Sequence, residues 1–249
     1  MVRVHPQTYS ELGSSPGRPE DTIVTEPTRD DETVKKTVQQ HWNGRAETFD
    51  DASHHGVHTA DQRDRWLDVL DEWTGEDPRR VLDVGCGTGV ISLLLAALGH
   101  DVVGVDVAPA MLHRARRKAR SAGRPIDFFR GDAERLPFPD DAFELVTARH
   151  LVWTLPDPES ALREWQRVVE PGGRIVLVEG YWDHEEPWDE YEEIHGDLPL
   201  YDGRPPGALR EVLGETGLRN LAHEPLQDPT LWGREPHHDY YVLRGTVPR

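Results

Sequence analysis

The sequence predicts an α/β fold, a mostly parallel sheet covered by helices on both faces, and three observations carry that reading. From Arg79 onward, short valine-rich apolar runs alternate with longer segments of helical period. Glycine, proline or aspartate stands at nearly every point where one element must stop and the next begin. A chain of 249 residues, 36% of them hydrophobic, can bury one core of catalytic size.

The elements follow in order. Met1 to Arg29 is rich in Pro, Ser, Gly and charge, so it cannot bury enough surface to offset the entropy of ordering, and a disordered tail is expected. Residues 30–78 read as a helical segment: Val34, Val38 and Trp42 share one helical face until Gly44 interrupts, with Ala46 and Phe49 beyond it. The capping box T-A-D-Q then opens a helix from Thr59 through Trp66, Val69, Leu70 and Trp73 to Gly75. Within 79–180, RRVLDVG is a buried strand, GVISLLLAALG a helix, DVVGVDV a strand, and PAMLHRARRKARSAG a helix opened by Pro109 and closed by Gly123. IDFFRGD and FELVTAR are strands, DPESALREWQRVVE is a helix with an aspartate cap, and GRIVLVEG is the fifth strand. Residues 181–206 mix aromatics with acids and show no sustained period, which reads as an insertion at the carboxyl edge of the sheet, where open α/β folds hold ligands. Residues 207–249 supply a helix, PPGALREVLGETG, and two strands, LRNLAHEPL and HHDYYVLRG.

Composition excludes several classes. A formal charge of −18 argues against a nucleic-acid partner, since such partners are held by lysine and arginine contacts to phosphate. Lysine is confined to Lys35, Lys36 and Lys118 while acids are plentiful, a balance that fits either a salt-loving source or a plain need for solubility. No apolar run approaches the roughly 18 residues that cross a bilayer. The start of the chain has no apolar stretch like a secretory signal, so a cytoplasmic protein without a membrane partner is expected. Cys86 is alone, so neither an intrachain disulfide nor a cysteine-based zinc site is available. The histidines of SHHGVH and the pair His237 and His238 lack fixed spacing on a rigid element, and no metal site is predicted.

The chemistry begins at VLDVGCGTGV. The dinucleotide fingerprint places its third glycine three positions after the second, but here Val90 stands there and the glycines fall at Gly85, Gly87 and Gly89. Asp83 at the strand end would face a diphosphate and repel it. A donor with a sulfonium and an ammonium, S-adenosylmethionine, suits that carboxylate better. Asp106 ends the second strand about 20 residues past the glycines, where a carboxylate accepts ribose hydroxyls, although it also stands where it would cap the next helix. Val107 and Met111 are placed to flank an adenine, and Asp132 to accept its amino group.

The series VLDVGCGTGV, VVGVDVAPAM, FRGDAERLPFPDDAFELVTARHLVWTLPDP and REWQRVVEPGGRIVLVE, spanning Arg79 to Glu179, resembles the class I S-adenosylmethionine-dependent methyltransferases, on the small-molecule branch near the ubiquinone/menaquinone C-methyltransferases. The resemblance implies a Rossmann-like sheet of seven strands, the last antiparallel, with S-adenosyl-L-methionine across the carboxyl ends of the first, second and fourth. It implies that Asp83, Gly85, Cys86 and Gly87 meet the methionine end and Asp106 the ribose. Asp132 and Ala133 would meet the adenine, and Arg149 would touch the donor through its backbone. It also implies that the segment before the first strand folds over the donor, bringing Trp42, Phe49 and His58 near. The chain departs from the family at Val152, Trp153 and Thr154, where relatives often carry histidines, and after the fifth strand.

The expected reaction is direct transfer of a methyl group to a small-molecule acceptor, with His150 as the base, Glu179 and Tyr181 as further candidates, and Trp153 and Tyr181 lining the acceptor pocket. The alternatives are a non-catalytic binder of the same donor and a nicotinamide-dependent oxidoreductase. Cys86 reads as a residue that fits a tight turn, not as a nucleophile. The basic residues of MLHRARRKAR read as a solvated face. The acidic aromatic stretch from Glu179 to Asp197 suits either a cationic acceptor or simple solubility.

Overall fold

A computed structural model of the chain describes residues 29–75, 77–182 and 191–249, so the expected tail, Arg29 apart, and much of the acidic aromatic stretch lie outside the described residues. Two helices, α1 (Asp31–Arg45) and α2 (Ala60–Thr74), precede β1 (Arg80–Val84), α3 (Val90–Ala97), β2 (Asp101–Asp106), α4 (Pro109–Ser121) and β3 (Asp127–Arg130). Then come β4 (Phe143–Arg149), α5 (Pro158–Val168), β5 (Val169–Tyr181), α6 (Pro206–Glu215), β6 (Arg219–Pro225), α7 (Pro229–Trp232) and β7 (Asp239–Thr246). The strands form one seven-stranded sheet in the order β3-β2-β1-β4-β5-β7-β6. β3, β2, β1, β4 and β5 pair in parallel, and β7 runs antiparallel to both β5 and β6, as the family likeness implied.

Alternation along the strands divides the core in two. Leu82 and Val84 of β1, Val146 and Ala148 of β4, and Ile175 and Leu177 of β5 meet Ala161, Leu162 and Trp165 of α5. Val81, Leu145, Val176 and Val178 point the other way, onto Trp66, Val69 and Leu70 of α2 and Leu94 and Leu95 of α3.

Three local readings need correction. Gly44 does not interrupt the first helix, which continues through Arg45. Side chains of that helix are tied to the core: Gln39 donates to the Val107 carbonyl (2.7 Å) and Asn43 accepts from the Ala110 amide (3.0 Å). That anchoring outweighs the roughly 1 kcal/mol that a helical glycine costs. The capping box is half made. Thr59 accepts from the Gln62 amide, but the Gln62 side chain takes the His58 amide and donates to the Leu231 carbonyl (3.0 Å). β5 begins at Val169, ahead of Gly173, with a bulge against β4 between Phe143 and Leu145. The short α7, capped by Asp228, was not anticipated because four residues carry no readable period.

α7 matters because it packs against α2. Trp66 donates to Leu231 (2.8 Å) and meets the Trp232 ring edge-on at 5.4 Å, and both indoles are 1% exposed. Trp66→Ala is therefore expected to lower unfolding stability by about 3–5 kcal/mol, read by urea denaturation. A loss near zero would mean that α2 and α7 are not held by this contact.

Candidate functional site

The strand order reverses between β1 and β4, and ligands of open α/β sheets bind at the carboxyl ends of strands beside such a switch. A cavity of about 380 Å³ lies there. The ends of β1, β2 and β4 form its floor, α1 and the segment Phe49–His55 its roof, and Trp182, His237, His238 and Tyr240 its far wall.

The glycine loop leaves β1 through left-handed backbone at Gly85 (φ 63°), Gly87 (φ 53°) and Gly89 (φ 79°), a conformation that side chains disfavour. At Gly85 an added Cβ would also lie 2.7 Å from the Leu151 side chain. Three amides of this loop are used inside the protein. Cys86 donates to the Val105 carbonyl (3.0 Å), Gly89 to the Cys86 carbonyl (2.8 Å), and Gly87 to the Asp106 carboxylate (2.8 Å). The other Asp106 oxygen accepts from the Ala108 amide at 2.7 Å, a turn just ahead of α4; Ala108 and not Asp106 is the cap of that helix, and Asp106 lines the cavity with acceptor capacity left on both oxygens. Burial pushes the Asp106 carboxyl up to about 6 against the pull of those two amides.

Asp83 also lines the cavity, but not as a bare charge. It is 2% exposed, accepts from Ser92 Oγ (2.5 Å) and Thr147 Oγ1 (3.4 Å), and is pushed up to about 6 by burial. Burial brings the nearby Arg149 guanidinium down to about 10, with Asp83 opposing that shift. The Arg149 side chain donates to the His55 carbonyl (2.6 Å) and lies over the Trp66 ring, so the residue props the roof as well as ending β4. Repulsion of a diphosphate by Asp83 is correspondingly weaker than the sequence suggests. Cys86 packs among Leu112, Ala115 and Phe128, and burial raises its thiol well above the ordinary range, which suits a packing role.

Val107, Met111, Ala133 and Leu155 make an apolar slot beside Asp106 and Asp132. Lys35 of α1 reaches across it to Asp132 (2.8 Å) and to Glu134. A second tie fixes the following segment: Asp50 accepts from Lys118 (2.9 Å) and Thr88 Oγ1 (2.5 Å), and Glu47 pairs with Arg114 (2.7 Å). Lys118 and Arg114 of α4, expected to face solvent, thus dock this roof. Trp42 and Phe49 line the cavity as the likeness implied, but His58 does not. The chain turns tightly at Gly56, where a Cβ would lie 2.2 Å from the Asp50 carbonyl, and His58 emerges on the outer side.

At the other end stands His150, in left-handed backbone (φ 54°) with its amide on the Val178 carbonyl. Its ring stacks near Trp232 (5.8 Å, 11°) and Tyr240 (5.6 Å, 22°), and Trp182 approaches edge-on at 5.2 Å. Burial, with Arg149 and the neighbouring imidazoles, holds His150 well below its ordinary value, and Nε2 has no hydrogen-bond partner among the described residues. Trp153, 4% exposed, lines the cavity and donates to the His150 carbonyl (2.9 Å). Tyr181 is not among the lining residues. Successive strand residues face opposite ways, and the next residue, Trp182, lines the cavity in its place.

The sequence reading missed His54, His55, His237 and His238 as cavity residues. Their only signal was pairing along the chain, and no spacing reveals that the two pairs meet. Of the acidic aromatic stretch, Tyr191 and Ile194 pack with Val34, Val38 and Trp153, while Glu192 and Glu193 face outward.

Residues 82–177 match a family described as a methyltransferase domain. The demethylmenaquinone methyltransferase of Thermus thermophilus is 48% identical over 104 residues, 41% of this chain and 47% of that one. The uncharacterized methyltransferase YcgJ of Bacillus subtilis is 33% identical over 170 residues, 68% of this chain and 66% of that one. The chain thus spans about half to two thirds of these curated relatives. Among solved structures, the [4+2]-cyclase SpnF superposes with a TM-score of 0.67 at 23% identity, covering 86% of this chain and 97% of that one. A phosphoethanolamine N-methyltransferase of Haemonchus contortus in complex with S-adenosyl-L-methionine gives 0.66 at 15%, covering 87% of this chain and 60% of that one. At such identities these two speak for the fold alone. The chain belongs to the class I S-adenosylmethionine-dependent methyltransferases, near the quinone C-methyltransferases.

Two measurements check this geometry. Glu179, 1% exposed, accepts the Leu151 and Val152 amides through Oε1, and burial pushes it up to about 8. The unfolded chain releases this proton near the ordinary 4.5 and the folded chain keeps it, so stability falls as pH rises from 4.5 through about 8 and then levels. Glu179→Gln removes the titration. Its melting temperature relative to the natural protein is expected to climb between about pH 5 and pH 8.5, by the equivalent of a few kcal/mol, and a difference independent of pH would contradict the buried proton. Lys35→Met is expected to speed amide hydrogen exchange across α1 several-fold while exchange in β1 and β4 stays as it was, because partly exposed ion pairs govern local more than global opening. Unchanged exchange in α1 would show that the Lys35 tie does not hold the roof.

Proposed function

We propose that this chain is an S-adenosylmethionine-dependent methyltransferase that moves a methyl group to a small-molecule acceptor by direct displacement. The observation that carries the reading is the inward use of the glycine-loop amides. A phosphate cradle needs amides pointing at the ligand, and those of Cys86, Gly87 and Gly89 are already donated to Val105, Asp106 and Cys86. Val90 in place of a third glycine agrees. A nicotinamide cofactor is thereby disfavoured. An adenosine fits the residues present, with lone pairs of Asp106 beside an apolar slot. Relatives named as methyltransferases support the same reading. The cyclase neighbour is a reminder that a fold leaves the reaction open, so the assignment rests on the site.

Each role follows from position. Asp106 accepts the ribose hydroxyls, Val107 and Met111 flank the adenine, and Asp132 and Ala133 meet its edge. Asp83, Gly85, Cys86 and Gly87 border the methionine end, with Arg149 behind them. When bound, the donor supplies an electrophilic methyl group on a sulfonium. Trp42, Phe49, Trp153 and Trp182 keep water from the acceptor and fix its approach. His150, neutral because burial and Arg149 oppose its charging, offers an open Nε2 to take the acceptor's proton. A base held so far down suits an acceptor whose proton is itself acidic. No described helix is long and apolar enough to cross a membrane, and with a charge of −18 we assign the protein to the cytoplasm, without a nucleic-acid partner.

Calorimetry with S-adenosylhomocysteine and with NAD tests the donor, and binding of the thioether alone is expected. Asp106→Asn, which replaces one acceptor oxygen by an amide donor, is expected to weaken the thioether about tenfold or more. His150→Phe keeps the stack and is expected to lower turnover of labelled donor by about 10²–10⁴ while the thioether still binds. Tight association with NAD and none with the thioether would refute the assignment.

A further inference from the structure

A second depression, a groove of about 720 Å³, lies between the segment Gly56–His58, α3 and α4. Its floor is apolar: Val57, Leu93 and Ala97 are half-buried, and Val90 and Leu94 are buried. Its rim is cationic. Arg63 comes from α2, Arg117 and Lys118 from α4 and Arg124 from the chain just beyond α4, against one lining carboxylate, Asp50. On a chain of net charge −18 the groove is a local reversal of sign.

Local structure accounts for half of this charge. Lys118 pairs with Asp50 (2.9 Å), and Arg124 donates to the Ala96 carbonyl (3.1 Å) near the end of α3, where the helix dipole favours a cation. Arg63 and Arg117 have no such explanation. Arg63 stands in the first turn of α2, the end at which the dipole disfavours a cation, and its pairing with the adjacent Asp64 (3.1 Å) joins two exposed groups and contributes little. Arg117 is exposed and precedes the last turn of α4, so neither end of that helix draws it. Two guanidiniums from different helices, set over a half-buried apolar floor, match a planar carboxylate joined to a hydrocarbon body. An inorganic ion leaves the floor uncovered, and a neutral apolar compound leaves the guanidiniums unused.

We propose that this groove is a second ligand site, which takes a medium-chain carboxylate with its head between Arg63 and Arg117 and its hydrocarbon body over Val57, Leu93 and Ala97. The site goes beyond methyl transfer and does not rest on it. It adjoins the donor cavity all the same: Val90 lines both, and Asp50 and Lys118 of the groove also hold Thr88 of the glycine loop (2.5 and 3.0 Å). Lys118 and Asp50 are therefore left intact in the test, because they dock the roof as well.

The test titrates the isotope-labelled full chain with octanoate, 1-octanol and acetate and follows the amide resonances by NMR. Octanoate is expected to move the amides of Leu93, Ala97 and Ser121, which line the groove and not the donor cavity, and to bind at least about fivefold more tightly than the alcohol or acetate. Arg63→Gln and Arg117→Gln change exposed side chains and are each expected to weaken octanoate about threefold or more, with the remaining resonances in place as proof of an intact fold. Equal binding of 1-octanol or acetate, or variants that bind octanoate like the natural protein, would overturn the proposal. So would the absence of any saturable shift, or shifts confined to residues such as Gly131 and Leu155, which would place octanoate in the donor cavity instead.

Discussion

The carboxylate of Asp106 accepts one amide from the glycine loop and one from the start of α4, and through them it fixes the end of β1, the end of β2 and the helix that follows. The glycines must be left-handed for the loop to turn its Gly87 amide toward that carboxylate instead of toward a ligand. One interaction therefore sets the shape of the donor end and places a hydrogen-bond acceptor there. The rest of the site is built outward from this joint: the apolar slot lies beside it, and α1 is laid over the slot by Gln39, Asn43 and Lys35.

Burial sets the charge inside the cavity more than composition does. On a chain of net charge −18, the cavity carboxylates Asp83 and Asp106 are pushed toward neutrality, His54, His55 and His150 are held neutral, and Arg149 sits against Asp83. Desolvation is the leading cause in each case. The charge of the surface and the charge of the cavity are thus set separately. The inference that negative side chains alone select a cationic donor gives way to a stronger one, based on where the loop amides point.

Much of the donor end was legible in the sequence because it is local. Asp83, Gly85, Gly87, Asp106 and Asp132 each lie at or just beyond a strand end, and the strands themselves announce their limits by glycine and aspartate. The far end was not legible, for a physical reason. Its walls come from the turn after Phe49, the end of β4, the residue after β5 and the approach to β7, and only strand order and strand direction bring them together. His150 was found because it directly follows a strand, whereas His55 and His238 sit in irregular chain whose course no periodicity records. Trp182 lines the cavity where the sequence points to Tyr181, because the exit of β5 cannot be placed to one residue from sequence, and one residue reverses the face. Gly44 and the extended β5 show tertiary contacts overriding a local break.

A crystal structure of the complex with S-adenosylhomocysteine tests the central claim most directly. We expect both ribose hydroxyls within hydrogen-bonding distance of the Asp106 oxygens, with the Gly87 and Ala108 amides still donating to that carboxylate. A ribose held elsewhere, or a loop that swings its Gly87 amide from Asp106 onto the ligand, would contradict the account.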